Sequence, residues 1–332
     1  MKLAIIGGGS WGTALATVLA PRTQSQNQSL RLWVYEADLA QRISHSRVND
    51  IFLPGVKLPE NVEVVTDLPV ALEGADIVLG VMPSHHARGL YTAMLPNLTP
   101  SMILVSATKG LEQSSLLRVS EVIEQVVRTP RVAVLSGPTF AREVAAGNPT
   151  AVVVASSNPE VARCVQEAFS GPTLRLYTNG DPIGVEVGAA LKNVIAIGAG
   201  ICEGLGLGHN PTAALITRGL AEITRLAVAM GGQAQTLAGL AGLGDLVLTC
   251  SGDLSRNRYV GKELGRGRAL PEILGSMRMV AEGVETCASA VTLGEKFGVD
   301  LPIIQQMNVV MTAGKSPREA VRDLMERSLK GE

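Results

Sequence analysis

Aromatic side chains are scarce in this chain: two Trp, four Tyr and four Phe among 332 residues. So few flat rings leave little material on which bases could stack, which counts against a single-strand nucleic-acid platform. Charge of one sign is missing too. Lys and Arg number 29 and Asp and Glu 30, for a net charge of −1, so nothing electrostatic points to nucleic acid or an anionic membrane surface. Cysteine is limited to Cys164, Cys202, Cys250 and Cys287, with no Cys-x-x-Cys pair and no histidine cluster beside them. That spacing argues against a zinc site or a disulfide frame and suits reduced, packed thiols. A long charge-free apolar run is also absent. The most apolar region, 185–208, contains Glu186, Lys192, Asn193 and Glu203, and reads as a buried core helix, not a membrane span. The apolar start is too short for a signal peptide. A cytoplasmic location is expected.

What is present begins at the first residues. The run Lys2-Leu-Ala-Ile-Ile6 passes into Gly7-Gly-Gly-Ser-Trp-Gly12 and then into an Ala/Leu-rich stretch. A strand ending in Gly7-x-Gly9-x-x-Gly12 before a helix is the dinucleotide-binding fingerprint. Gly7 permits the tight turn, and Gly9 lets backbone approach a pyrophosphate. Gly12 and Ala16 let the helix lie close on the sheet with its N–H groups facing the phosphates.

At this length two domains are expected. The first half alternates apolar runs, read as strands at 2–6, 30–35, 77–81, 102–107, 132–135, 151–155 and 174–177, with helical patterns. Such a βαβ series gives an α/β fold with a doubly wound, Rossmann-like parallel sheet. The polar stretch 23–29 reads as a loop. Beyond a boundary near 178–182 only helical patterns follow, at 186–204, 211–230, 256–266, 281–297, 302–313 and 317–330, the last with Ser316 as cap. The division expected is therefore 1–180 for a dinucleotide-binding domain and 181–332 for an all-α substrate and catalytic domain. Abundant small residues on the later helices are compatible with close packing in a homodimer.

Two lysines keep unusual company. Lys109 follows a strand in Ala107-Thr-Lys-Gly110, at the carboxyl edge where open α/β sheets place ligands. Lys192 lies within Gly188-Ala-Ala-Leu-Lys-Asn-Val-Ile-Ala-Ile-Gly198, with small or apolar residues one turn either side. A buried ammonium is costly unless it meets a partner or ligand, and desolvation brings its proton affinity toward the range of acid–base work; snorkelling along the helix is the plain alternative. The Gly-rich run before Asp245 suggests a tight loop delivering a carboxylate. Ser255, Arg256 and Asn257 offer three donors side by side, either a grip for phosphate or an ordinary helix cap. Ser136-Gly-Pro-Thr-Phe-Ala141 lies just after another strand, again at the ligand edge. His85-His86 tempts a metal reading, but adjacent residues do not face one another and no carboxylate or cysteine frames them. No metal is expected.

Taken together the motifs resemble those of the NAD(P)-dependent sn-glycerol-3-phosphate dehydrogenases over nearly the whole chain. Besides the fingerprint, the matching segments are Phe52-Leu-Pro-Gly55, Met82-Pro-Ser84, Ala107-Thr-Lys-Gly110, Ser136-Gly-Pro-Thr-Phe-Ala141, Leu191-Lys-Asn-Val194, Thr217-Arg-Gly-Leu220, Gly242-Leu-Gly-Asp-Leu246, Ser255-Arg-Asn257 and Glu282-Gly283. The resemblance implies interconversion of glycerol 3-phosphate and dihydroxyacetone phosphate, feeding glycerophospholipid synthesis. It implies Lys192 as proton acceptor, Asp245 as its partner, and Lys109 beside substrate and nicotinamide. Asn193, Thr249, Ser255, Arg256 and Asn257 would hold the polyol and phosphate, with Gly137 and Thr139 beside them. Ser10, Trp11, Lys109, Ala141, Arg256, Val280 and Glu282 would join Gly7, Gly9 and Gly12 at the cofactor. Tyr35-Glu36 ends the second strand, and an acid there favours NAD over NADP by binding a ribose 2′-hydroxyl; Tyr35 departs from the histidine or arginine often found in the family. A ketopantoate- or hydroxy-acid-type dehydrogenase is the alternative enzyme. A non-catalytic nucleotide sensor is the alternative of another class, although it needs neither a buried lysine nor an aspartate.

Overall fold

The computed structural model describes residues 2–25, 29–128, 130–277, 280–329 and 331. The chain divides into two compact units, 1–186 and 187–332. In the first, eight strands form one sheet: β1 Leu3–Ile6, β2 Leu30–Trp33, β3 Val62–Val65, β4 Ile77–Gly80, β5 Ile103–Ser106, β6 Arg131–Ser136, β7 Thr150–Ala155 and β8 Leu174–Asn179. Their order is β3-β2-β1-β4-β5-β6-β7-β8. Side chains alternate across a strand: Leu3 and Ile5 of β1 join one apolar cluster, Ala4 and Ile6 the cluster on the other face. With both faces covered, β1, β4 and β5 are buried at every position, which is why they read as unbroken apolar runs. The doubly wound sheet expected from the sequence is present, and each expected strand is found to within two residues at either end.

Two features of the sheet depart from expectation. All pairs are parallel except β6 with β7, where Val134 faces Ala155 and Ser136 faces Val153. The connection between them holds only the five-residue helix Ala141–Ala145. Such a helix advances about 7.5 Å, too little to carry the chain back along a strand roughly 20 Å long, so the chain returns antiparallel. The second departure is β3, which sequence patterning missed. It is a four-residue strand at the sheet edge with exposed Glu63 in its run, held across the edge by the Arg31–Glu63 ion pair at 2.8 Å.

The helix after the fingerprint runs Ser10–Ser25, so 23–25 are helical and not part of a loop; polarity alone is a weak loop signal where residues such as Gln favour helix. Residues 26–28 of that expected loop lie outside the described residues. Cys164 also departs from the packed-thiol expectation, being exposed where the other three cysteines are buried.

The second unit shows helices and no strand among the described residues. Helix Pro182–Gly204 begins in the first unit, and its apolar window, long enough by length and composition to cross a membrane, is wholly buried inside the protein. It packs backbone to backbone on helix Arg256–Gly265. A Cβ at Gly200 would lie 2.0 Å from the Arg258 carbonyl oxygen, and one at Gly261 would lie 1.8 Å from that of Ile197. These small residues, read from sequence as suited to packing between subunits, close the packing within the chain. The last helix is Pro317–Met325, shorter than expected, and Lys330 lies outside the described residues. Ser316 marks its start through extended backbone and Pro317 at the first helical position, without a hydroxyl cap.

Candidate active site

In the first unit the sheet order reverses at β1, between β2 and β4, and there the Gly7–Gly12 turn sits. Open α/β sheets bind ligands at such a switch point. Gly7 has φ +129, and a Cβ on it would lie 2.1 Å from the Val81 carbonyl oxygen beyond β4. A Cβ on Gly12 would lie 1.9 Å from the Gly7 carbonyl oxygen, whereas one on Gly9 would meet no protein atom within 4 Å. Gly9 is thus unconstrained by the protein itself, as befits a position where backbone must be bare toward a ligand. The start of helix Ser10–Ser25 follows directly, and the Trp11 indole N–H beside it is buried without a partner. These residues fit a dinucleotide.

Sequence reasoning missed the residue that holds this turn. Asn49 is fully buried; its amide donates to the Gly8 carbonyl at 2.8 Å and to Thr13 Oγ1 at 2.9 Å, while its Oδ1 accepts from the Phe52 N–H. A lone Asn in a polar loop carries no spacing signal.

Past β2, Tyr35 is 78% exposed with its ring edge-on to Trp33 at 6.0 Å. Glu36 occupies the N-cap position of helix Ala37–Ser46 and makes no side-chain cap bond. The cations nearby in sequence are committed: Arg42 to Asp38 and Asp50, and Arg31 to Glu63 and to the Val70 and Glu73 carbonyls.

Lys109, Gly137 and Thr139 come together at the carboxyl ends of β5 and β6. Lys109 Nζ donates to the Gly137 carbonyl and to Thr139 Oγ1, each at 3.0 Å. Ala141 opens the short helix that follows. His85 and His86 lie in a single 3-10 turn, where their rings do meet, with centroids 4.1 Å apart. Among the described residues no three His, Cys, Asp or Glu side chains gather as a metal site.

In the second unit Lys192 is 5% exposed, Asp245 1% and Thr249 5%. Lys192 Nζ donates to Asp245 Oδ1 at 2.5 Å and to Thr249 Oγ1 at 2.9 Å. The lysine therefore does not snorkel. Asp245 is delivered differently from expectation. The Gly-rich run is no tight loop but a π-helical turn, Leu240–Gly244, continuous with helix Asp245–Ser251. Gly242 is needed for close approach, since a Cβ there would lie 2.1 Å from the Leu237 carbonyl oxygen.

Around this pair, Asn257 Nδ2 donates to Asn193 Oδ1 at 3.0 Å, and its own Oδ1 accepts from the Gly283 N–H at 3.0 Å. Ser255 caps helix Arg256–Gly265, its hydroxyl accepting from the Arg258 N–H. Arg256 is exposed and reaches back to the Val280 carbonyl, with Nη1 at 2.8 Å. Glu282 opens helix Glu282–Phe297 and lies within electrostatic reach of that guanidinium.

Residues 2–162 match the N-terminal model and residues 181–322 the C-terminal model of NAD-dependent glycerol-3-phosphate dehydrogenase. The chain belongs to that family. It is 58% identical over 330 residues to the glycerol-3-phosphate dehydrogenase (NAD(P)+) of Koribacter versatilis, covering 98% of this chain and 97% of that protein. It is 54% identical over 334 residues to the corresponding enzyme of Citrifermentans bemidjiense, covering 100% and 98%. The crystal structure of glycerol-3-phosphate dehydrogenase from Coxiella burnetii superposes with a TM-score of 0.92 at 40% identity, covering 98% of this chain and 99% of that one. The chain is an oxidoreductase of the NAD(P)-dependent glycerol-3-phosphate dehydrogenases.

Proposed function

We propose that this chain interconverts sn-glycerol 3-phosphate and dihydroxyacetone phosphate in the cytoplasm, with NAD preferred over NADP, as a source of glycerol phosphate for lipid synthesis. The observation that carries the reading is the buried Lys192–Asp245 pair. An ammonium and a carboxylate both removed from water are an expensive way to stabilise a fold, and a reasonable way to keep a proton acceptor ready.

A bound dinucleotide would supply the hydride-transfer chemistry at the substrate C2. Gly7, Gly9, Ser10, Trp11 and Gly12 receive the pyrophosphate, Tyr35 and Glu36 the adenosine ribose, and Ala141, Val280 and Glu282 complete the contacts. In oxidation Lys192, in its neutral form, takes the proton of the C2 hydroxyl as the C2–H bond breaks. In reduction its ammonium returns that proton to the carbonyl oxygen. Asp245 holds the charged form in place. Lys109, steadied by Gly137 and Thr139, provides a second cation toward substrate oxygen. Arg256 grips the phosphate dianion, with Ser255, Asn193 and Asn257 beside it.

The test is cofactor oxidation by the purified protein with dihydroxyacetone phosphate, with ketopantoate as control. Rapid oxidation of NADH with the former alone is expected. Activity with ketopantoate instead would remove the reading.

A further inference from the structure

Thr249 lies where its hydroxyl meets three groups. Its Oγ1 is 2.6 Å from the backbone carbonyl oxygen of Asp245, one turn back in the same helix, and 2.9 Å from Lys192 Nζ. The Asp245 carboxylate Oδ1 lies farther off, at 3.4 Å. A hydroxyl has one proton and two lone pairs. A carbonyl has no proton to give, so the hydroxyl proton points at it, and a lone pair is left facing the lysine. The donor of Thr249 is thereby spent inside its own helix and is withheld from any substrate oxygen.

We propose that Thr249 is a positioning residue for Lys192, a fixed acceptor that aims the amine and favours its protonated form, and that it does not bind substrate. This rests on Lys192 being the proton acceptor. A Val at 249 would keep the shape and lose the acceptor; a Ser would keep the acceptor. The back-bond explains why the acceptor is fixed: it sets the hydroxyl rotor, so the lone pair presented to Lys192 does not wander. Charged and titratable groups that face the lysine include Asp245, at the start of the same helix as Thr249, and the Cys250 thiol. That thiol feels Lys192, Arg258 and Asp245. Burial pushes it up to about 12, so it stays neutral through the working range.

The consequence is directional. A group that accepts a hydrogen bond from an ammonium stabilises the charged form. Without the Thr249 acceptor the lysine gives up its proton at lower pH, so the acid limb of glycerol 3-phosphate oxidation moves down. A change of about one pH unit, with kcat reduced about tenfold and KM nearly unchanged, is expected for Thr249→Val. Thr249→Ser should restore both the limb and the rate.

The experiment is the pH profile of kcat and KM for glycerol 3-phosphate oxidation in wild type, Thr249→Val, Thr249→Ser and Lys192→Ala, with Thr249→Ala carrying the same expectation should the valine variant not fold. A KM raised at least tenfold in the valine or alanine variant with the limb unmoved would make Thr249 a substrate contact and overturn the proposal. Equal losses in the serine and valine variants would overturn it as well. Failure of the underlying reading is distinguishable: it shows as turnover surviving in Lys192→Ala, whatever the Thr249 variants do.

Discussion

At the Gly7–Gly12 turn of the first unit function is prepared by what side chains leave out; at Lys192 in the second unit it is prepared by side chains brought together. The turn is a matter of backbone: Gly7 at φ +129, Gly12 without room for a methyl, and Gly9 bare toward a ligand. The lysine pair joins residues 53 apart in sequence across two helices, with carboxylate and ammonium both buried. A backbone device tolerates changes of charge and fails on added volume. A buried pair tolerates little change of charge, because whichever partner remains is left without compensation.

The sharpest way to break the comparison is at the turn. Gly12→Ala puts a Cβ 1.9 Å from the Gly7 carbonyl oxygen, so the turn must open. Affinity for NADH, read by fluorescence titration, should fall about a thousandfold or more, in a protein that remains folded by circular dichroism. Binding within tenfold of wild type would show that the turn does not depend on close approach.

The next effect separates the units by pH. Glu222 of the second unit is buried, and burial pushes its carboxyl up to about 7 from an ordinary 4.5. The Ile303 and Ile304 N–H groups, at 2.8 and 3.2 Å, pull the other way, as does Arg225, while Asp300 adds to the rise. A raised folded-state value means the folded protein holds this proton more tightly than the unfolded chain. Its contribution is therefore complete below about 4.5 and is lost as pH rises through about 7. Urea unfolding should show about 3 kcal/mol less stability from this source at pH 8 than at pH 4.5, and Glu222→Gln should flatten that slope. An unchanged slope would assign the pH dependence elsewhere.

A smaller effect tests the grip on phosphate. Arg256 spends Nη1 on the Val280 carbonyl, and its remaining donors are those proposed for the dianion. Charge-assisted bonds contribute about 1.5–3 kcal/mol each. Arg256→Ala should then raise KM for dihydroxyacetone phosphate at least tenfold, and leave that for unphosphorylated dihydroxyacetone nearly unchanged. Equal losses on both would make the arginine a support for the 280–283 segment alone.

The smallest effect concerns cofactor choice. With Arg31 and Arg42 both committed to other partners, a 2′-phosphate beside Glu36 meets a carboxylate with no counter-ion ready. A several-fold preference for NADH in kcat/KM is expected, and Glu36→Ser should narrow it. A native preference for NADPH would mean that Glu36 points away from the ribose.

What could be read from sequence follows the same contrast. The turn was legible because backbone needs leave a local signature of glycines between a strand and a helix. Lys192 was legible because a charge set among small and apolar residues is conspicuous. Its partner Asp245 stands out by the glycines before it, but these make a π-helical turn, a distinction that depends on hydrogen bonds and not on composition. Asn49, which holds the turn from 41 residues away, left no trace in spacing. The antiparallel return of β7 was hidden as well, because apolar runs report burial and say nothing of direction. Edge strand β3, with Glu63 in its run, lacked even the apolar signal.

The most direct test of the account is Lys192→Ala, examined by NADH titration and by steady-state reduction of dihydroxyacetone phosphate on the same preparation. If the Gly7–Gly12 turn anchors the dinucleotide and Lys192 supplies the proton, the NADH dissociation constant stays within about twofold while kcat falls by roughly 10²–10⁴. Turnover at the wild-type level in a protein that still binds NADH would contradict the account at its centre.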